Sequence, residues 1–177
     1  MSRLVVISNR IADLTKSSQS GGLAVALVDA LKATGGLWFG WGGDIVGDGT
    51  KIETNIQTID TVTVASVPLT EEDYDQYYLG FSNKELWPVF HYRLDLAEFD
   101  TDYVNGYRRV NQMFADKLCP LLKPDDLIWI HDYHLIPLAA ELRQRNVGQT
   151  IGFFLHIPFP PPEILSATPE HEWLVRS

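Results

Sequence analysis

The chain has 177 residues, 45% of them hydrophobic and 21% charged, and a formal net charge of −9. That length makes one domain of ordinary size, able to bury roughly 70% of its unfolded surface, and the composition is that of a soluble globular protein. The negative charge argues against nonspecific nucleic-acid or anionic-membrane binding, both of which want a basic face, yet leaves room for a small phosphorylated ligand held by one or two local cations.

Leu4 to Ser8 is a short continuous apolar run, as expected of a strand buried on both faces. The opening residues lack the charged region and apolar run of a signal peptide, and no apolar stretch reaches the length of a membrane span. A polar loop runs from Asn9 to Ser20. Gly21 and Gly22 then open a helix over 23–33, with Leu23, Leu27, Ala30 and Leu31 at helical spacing, and Gly35-Gly36 stops it. Leu37 to Trp41 reads as a second short strand. From Gly42 to Pro68 glycines cluster, and the isoleucines with Thr61-Val62-Thr63-Val64 suggest antiparallel or edge strands.

Thr70-Glu71-Glu72-Asp73 resembles a capping box, and Ser82-Asn83-Lys84-Glu85 matches one in full, so each is expected to begin a short helix, the second ended by Pro88. Val104, Tyr107, Val110, Phe114, Leu118 and Leu121 line one face of an amphipathic helix. Leu127 to His131 is a strand, Leu135 to Arg145 a helix, Ile151 to His156 a strand, and a new helix starts near Glu172, where Leu174 and Val175 are expected to lie unpaired. This alternation implies a parallel sheet covered by helices. The one cysteine, Cys119, excludes an internal disulfide, reads as a small packed residue, and fits a reducing, cytoplasmic compartment.

Three groups of residues carry chemistry. Arg10 ends the first strand, and Gly21-Gly22 place free N–H groups at a helix N-terminus, a natural anion site. The glycine spacing fits neither G-x-G-x-x-G nor a P-loop, so by themselves these residues also read as a plain loop. Asp132 follows an apolar strand directly, and His156 occupies the matching place on the next strand. In open parallel sheets, ligands bind beyond such strand ends. His131 and His134 read first as structural histidines, and a metal reading of His131, Asp132 and His134 lacks an accompanying Cys or carboxylate cluster. Tyr77-Tyr78 and Trp87 to Tyr92 are dense in aromatics, by count a core, by chemistry also a platform for sugars. Neither a spaced carboxylate pair nor a nucleophile elbow is present in the sequence.

Four blocks, taken in order, are specific. They are Ser8-Asn9-Arg10 with Ser20-Gly21-Gly22-Leu23 and Gly36 to Trp41; Tyr77-Tyr78 to Asn83 with Leu86-Trp87-Pro88 and Phe90 to Arg93; Trp129 to Leu135; and Gly152 to Pro160. Together they resemble glycosyltransferase family 20, the trehalose-6-phosphate synthases, over the whole chain. The resemblance implies a two-domain GT-B enzyme with Rossmann-like domains and the site in the cleft between them. Residues 1–177 would be the acceptor-side N-terminal domain, truncated, and the nucleotide-sugar domain would lie outside the chain. It implies transfer of glucose from UDP-glucose to glucose 6-phosphate with retention, no metal or cofactor, and a homo-oligomeric full-length protein. By the same resemblance Arg10 and Tyr78 match phosphate contacts, Trp87 lines the acceptor pocket, Asp132 holds acceptor hydroxyls, Gly21 and Gly22 approach the donor, and His156 sits beside the donor sugar.

The expected function is therefore that of a retaining glycosyltransferase, with this chain as its acceptor half and inactive alone. The alternatives are a non-catalytic remnant that binds a sugar phosphate or a partner subunit, and a metal-dependent hydrolase built on His131, Asp132 and His134.

Overall fold

The computed structural model describes residues 2–11, 27 and 30–177. Six strands form one sheet: β1 (Leu4–Arg10), β2 (Gly36–Val46), β3 (Asn55–Ile59), β4 (Val62–Thr70), β5 (Leu127–His131) and β6 (Thr150–Phe154), in the spatial order β3-β4-β2-β1-β5-β6. β1 pairs in parallel with both β2 and β5, β5 with β6, and β2 with β4; β3 alone runs antiparallel, against β4. The expected parallel α/β sheet with an antiparallel edge is thus present. β4 is not an edge strand, however, because β3 covers its far side. β2 also continues past Trp41 to Val46 through a register shift opposite β4.

β1 shows why the sheet is buried on both sides. Val5 and Ile7 point into one apolar cluster and Val6 into another, and all three have no solvent exposure. The larger cluster is covered by helices that follow β4. The smaller one packs Ile11, Leu27, Leu31, Trp38 and Val62 on the opposite face. Residues 30–34 are helical and end at Gly35, whose N–H donates to Leu31 O at 2.8 Å; the rest of the expected helix from Leu23 lies outside the described residues.

The larger face is dominated by one long rod, α1, over residues 71–90. It is α-helical over Glu71–Asp73, π-helical over Tyr74–Leu86 and α-helical again over Trp87–Phe90. Thr70 caps it as expected, accepting from the Asp73 N–H at 3.0 Å. The second expected helix start at Ser82-Asn83-Lys84-Glu85 does not exist. Those residues lie inside the rod, where the Trp87 N–H donates to Ser82 O five residues back. Nor does Pro88 end the helix. Proline removes the N–H that would reach the Lys84 carbonyl four residues earlier, and Glu98 N–H fills that carbonyl instead, at 2.9 Å.

α2 (Thr101–Leu118) is the amphipathic helix, buried at Val104, Tyr107, Val110, Phe114 and Leu118. It crosses α1 with little separation: a Cβ at Gly80 would collide with the Tyr103 ring, and one at Gly106 with the Gln76 side chain. α3 (Leu138–Gln144) begins three residues later than expected, because Tyr133–Leu135 forms a separate 3-10 turn. α4 (Pro162–Leu165) and α5 (His171–Arg176) complete the covering layer. Leu174 is buried in the main core at 4% exposure, contrary to expectation, while Val175 is exposed.

Candidate functional site

The chain leaves β1 to one side through β2 and returns to the other through β5, so the direction of winding reverses between β1 and β5. Strand order of this kind opens a crevice at the carboxyl ends of the flanking strands. Arg10 closes β1, Trp41 lies in β2, Asp132 follows β5, and His156 lies two residues past β6. Four of the sequence-derived and structural candidates therefore share one edge of the sheet.

On the β1 side, Ser8 and Asn9 fasten the strand end. Ser8 Oγ donates to Arg10 O at 2.9 Å and accepts from Trp38 Nε1 at 2.8 Å; Asn9 Oδ1 accepts from the buried Tyr77 hydroxyl at 2.8 Å. Arg10 itself is exposed, with its guanidinium carbon 4.7 Å from the centre of the Trp41 ring. An arginine laid on an aromatic face keeps its N–H fork free of that contact. The backbone at Gly43 makes room for it: φ is +102°, and any Cβ there would collide with the guanidinium.

The Trp41 ring continues into an aromatic stack. Tyr78 meets it at 5.5 Å, and Tyr78 in turn stacks on His134 at 5.9 Å with 17° between the planes. His134 packs against Tyr133 at 4.0 Å. Arg10, Trp41, Tyr78, His134 and the Asp132 turn thus form one continuous wall. His134 is 8% exposed, and burial pulls its pKa down to about 3, so the ring at the back of that wall is neutral.

Asp132 is held unusually firmly. Its φ of 77° is uncommon for a residue with a side chain and is the kind of strain that persists where surroundings over-determine it. Its N–H donates to Phe154 O at 2.8 Å. Its Oδ1 accepts from the Tyr133 N–H at 2.9 Å and from the His156 N–H at 3.3 Å. The turn that follows is tied down from behind. Tyr107 donates to Tyr133 O at 2.6 Å, Asn111 to His134 O at 3.1 Å, and Tyr133 to Asn83 Oδ1 at 3.2 Å.

His156 is exposed and joined to the buried His131 by a 2.9 Å contact between Nε2 and Nδ1. Burial, helped by the neighbouring His156, lowers the His131 pKa to about 4. Trp87 stands apart from the wall. It is 41% exposed, and among the described residues its ring stacks on His91, at 4.1 Å. Gly21 and Gly22 lie outside the described residues. The sequence reading missed Trp41 as part of the site and weighed His134 only as a structural or metal-binding histidine. The signal for Trp41 lay only in its strand position, in register with Arg10 on β1.

Among the described residues no group of three or more His, Cys, Asp or Glu could hold a metal ion, and no helix is long and apolar enough to cross a membrane. A polar hollow of about 350 Å³ at the opposite, amino-terminal edge of the strands is lined by Ser2, residues 124–127 and Gly148 to Thr150. Its buried carboxylate, Asp126, is already engaged by Arg3 at 2.7 Å.

The profile of Glycosyltransferase family 20 matches residues 3–177. Trehalose-6-phosphate synthase of Cronobacter sakazakii is 57% identical over 176 residues, which is 99% of this chain and 37% of that protein. The crystal structure of an alpha,alpha-trehalose-phosphate synthase (UDP-forming) from Burkholderia vietnamiensis superposes with a TM-score of 0.91 at 56% identity, covering 99% of this chain and 38% of that one. The corresponding enzyme of Burkholderia xenovorans, in complex with glucose-6-phosphate, gives 0.92 at 51% identity with the same coverage. The chain therefore spans somewhat over a third of the length of the relatives it matches, and it belongs to glycosyltransferase family 20.

Proposed function

We propose that this chain is the acceptor-binding part of a retaining glucosyltransferase that moves glucose from UDP-glucose to glucose 6-phosphate, forming trehalose 6-phosphate. The observation that carries this reading is the wall of Arg10, Trp41, Tyr78 and the Asp132 turn at the switch point of the sheet. It offers a cation and a phenol for a phosphate, aromatic faces for a sugar ring, and a fixed carboxylate for hydroxyls. The relative crystallised with glucose-6-phosphate supports the choice of acceptor. Trp87 would line the acceptor pocket from the far end of α1, Gly21 and Gly22 would approach the donor, and His156 would stand beside the donor sugar.

In this mechanism the departing diphosphate takes the acceptor hydroxyl proton on the same face of the donor ring, so no protein nucleophile is required. Asp132 and Arg10 hold the acceptor at a fixed distance from the anomeric carbon, and His156 offers a polar contact at the donor. Such sites work by orientation and by stabilising charge that grows on the leaving group. Residues that belong to the longer relatives would complete the donor side. The 177-residue chain alone is then expected to bind glucose 6-phosphate and to turn nothing over.

Titration calorimetry of the chain tests the first half of this. Glucose 6-phosphate should bind, glucose more weakly, and Arg10→Ala should cost about tenfold or more in affinity, the loss of a charge-assisted contact. Equal binding of glucose and its phosphate, or an indifferent Arg10→Ala, would sink the acceptor assignment. Glucose 6-phosphate-dependent release of UDP by these 177 residues alone would overturn the expectation that they turn nothing over.

A further inference from the structure

His131 ends β5 on the same face as Trp129, whose ring lies 4.3 Å away, and its edge meets the His156 ring, with the centroids 5.2 Å apart and 24° between the planes. His131 is 1% exposed, whereas His156 is exposed and packs its own ring on Phe154 at 4.6 Å. One hydrogen bond of 2.9 Å joins His131 Nδ1 to His156 Nε2. A neutral imidazole has one N–H and one bare nitrogen, so this bond has two possible senses.

If His156 donated from Nε2, then His131 Nδ1 would be the bare nitrogen and its proton would sit on Nε2. That atom is buried and has no hydrogen-bond partner among the described residues. The result would be an orphaned buried N–H, which native structures avoid more strictly than an orphaned acceptor. If His131 donates from Nδ1, the buried Nε2 carries only a lone pair. His156 must then accept at Nε2 and hold its own proton on Nδ1. The depressed titration of His131, down to about 4, keeps that ring neutral, as this arrangement needs.

We infer that His131 is a positioning residue: by donating from Nδ1 to His156 Nε2 it fixes the His156 tautomer whose proton is on Nδ1, which leaves that N–H as the one polar group the ring can offer a ligand. The backbone supports the same aim, since Asp132 Oδ1 accepts from the His156 N–H. A hydrogen-bond donor at this place suits the hydroxyl and phosphate oxygens of a nucleotide sugar, and only this last step rests on the glucosyltransferase reading.

The tautomer is measured directly by long-range proton–nitrogen correlation of the imidazole rings in the 177-residue chain at pH 7. The expected pattern is a protonated Nδ1 and a bare Nε2 in both rings. A protonated Nε2 on His131 overturns the inference whatever the chain catalyses. In the full-length protein His131→Asn places an amide N–H where Nδ1 stands, while His131→Gln places one where Nε2 stands. With UDP-glucose as the varied substrate, His131→Asn should keep kcat/KM within about threefold, and His131→Gln should lose about tenfold, one neutral hydrogen bond. Equal losses in the two amide variants, or none in either, would reject the positioning role. A full-length protein that makes no trehalose 6-phosphate would reject the reaction and leave the ring spectrum to decide the tautomer.

Discussion

Glu85 shows how far a single side chain can stand from its sequence appearance. In the sequence it closes a capping box; in the structure it is 1% exposed inside α1, with Oε1 unpartnered among the described residues. Burial, and then the charge of Glu170, push its carboxyl up to about 8. The folded state thus keeps a proton that the unfolded chain gives up near 4.5, so this residue costs nothing at low pH and destabilises the fold progressively as pH rises from there toward 8. Glu85→Gln should match the parent in urea unfolding at pH 4 and exceed it by about 1–3 kcal/mol at pH 8. A difference that does not change between the two pH values would remove the buried-carboxyl assignment. Asp132 is the opposite case. Its place after an apolar strand was legible, because strand ends in parallel sheets are marked by the change from apolar to polar residues. Its left-handed backbone was not, since nothing in the residue type demands it.

At the level of elements, strands were legible and α1 was not. β5 runs over the five residues expected, Leu127–His131, because a strand covered on both faces must be a continuous apolar run. The rod over 71–90 defeats the same kind of reading twice. Its middle follows the i→i+5 pattern, so the apolar period sought for an α-helix is absent, and Pro88 sits inside it because Glu98 relieves the carbonyl that proline abandons. Its contact with α2 depends on missing side chains. Alanine is ordinarily favoured over glycine in a helix by about 1 kcal/mol, but at Gly80 the Tyr103 ring would have to move. Gly80→Ala should therefore lose about 1–3 kcal/mol in thermal or urea unfolding. Gly148→Ala, which meets nothing within 4 Å, should stay within about 0.5 kcal/mol of the parent. A stabilised Gly80→Ala would show that α1 and α2 do not cross as closely as described.

Across the whole molecule, the site is a consequence of strand order. Arg10 and Asp132 lie 122 positions apart in sequence, and they are neighbours at the carboxyl edge only because β5 pairs beside β1 rather than beside β4. Sequence alone identified the polar residues at the strand ends. It did not reveal that Trp41 and His134 join them, since that depends on which strands are neighbours. Among the described residues the same order leaves β6 at the sheet edge, with Phe153 and Phe154 43% and 50% exposed, an apolar margin of the sort that recruits further strands. The 177-residue chain should associate with rising concentration in sedimentation velocity, and Phe153→Lys should reduce that association; indifference to the lysine would place the contact elsewhere. The amino-terminal edge of the strands has a practical use. Gly148 opens on the polar hollow there, with no neighbour to disturb, while Cys119 is half-buried and burial raises its thiol pKa. A Gly148→Cys chain should accordingly take a maleimide dye faster at the new thiol than at the native one, providing an optical reporter at the edge of the sheet opposite Arg10 and Asp132.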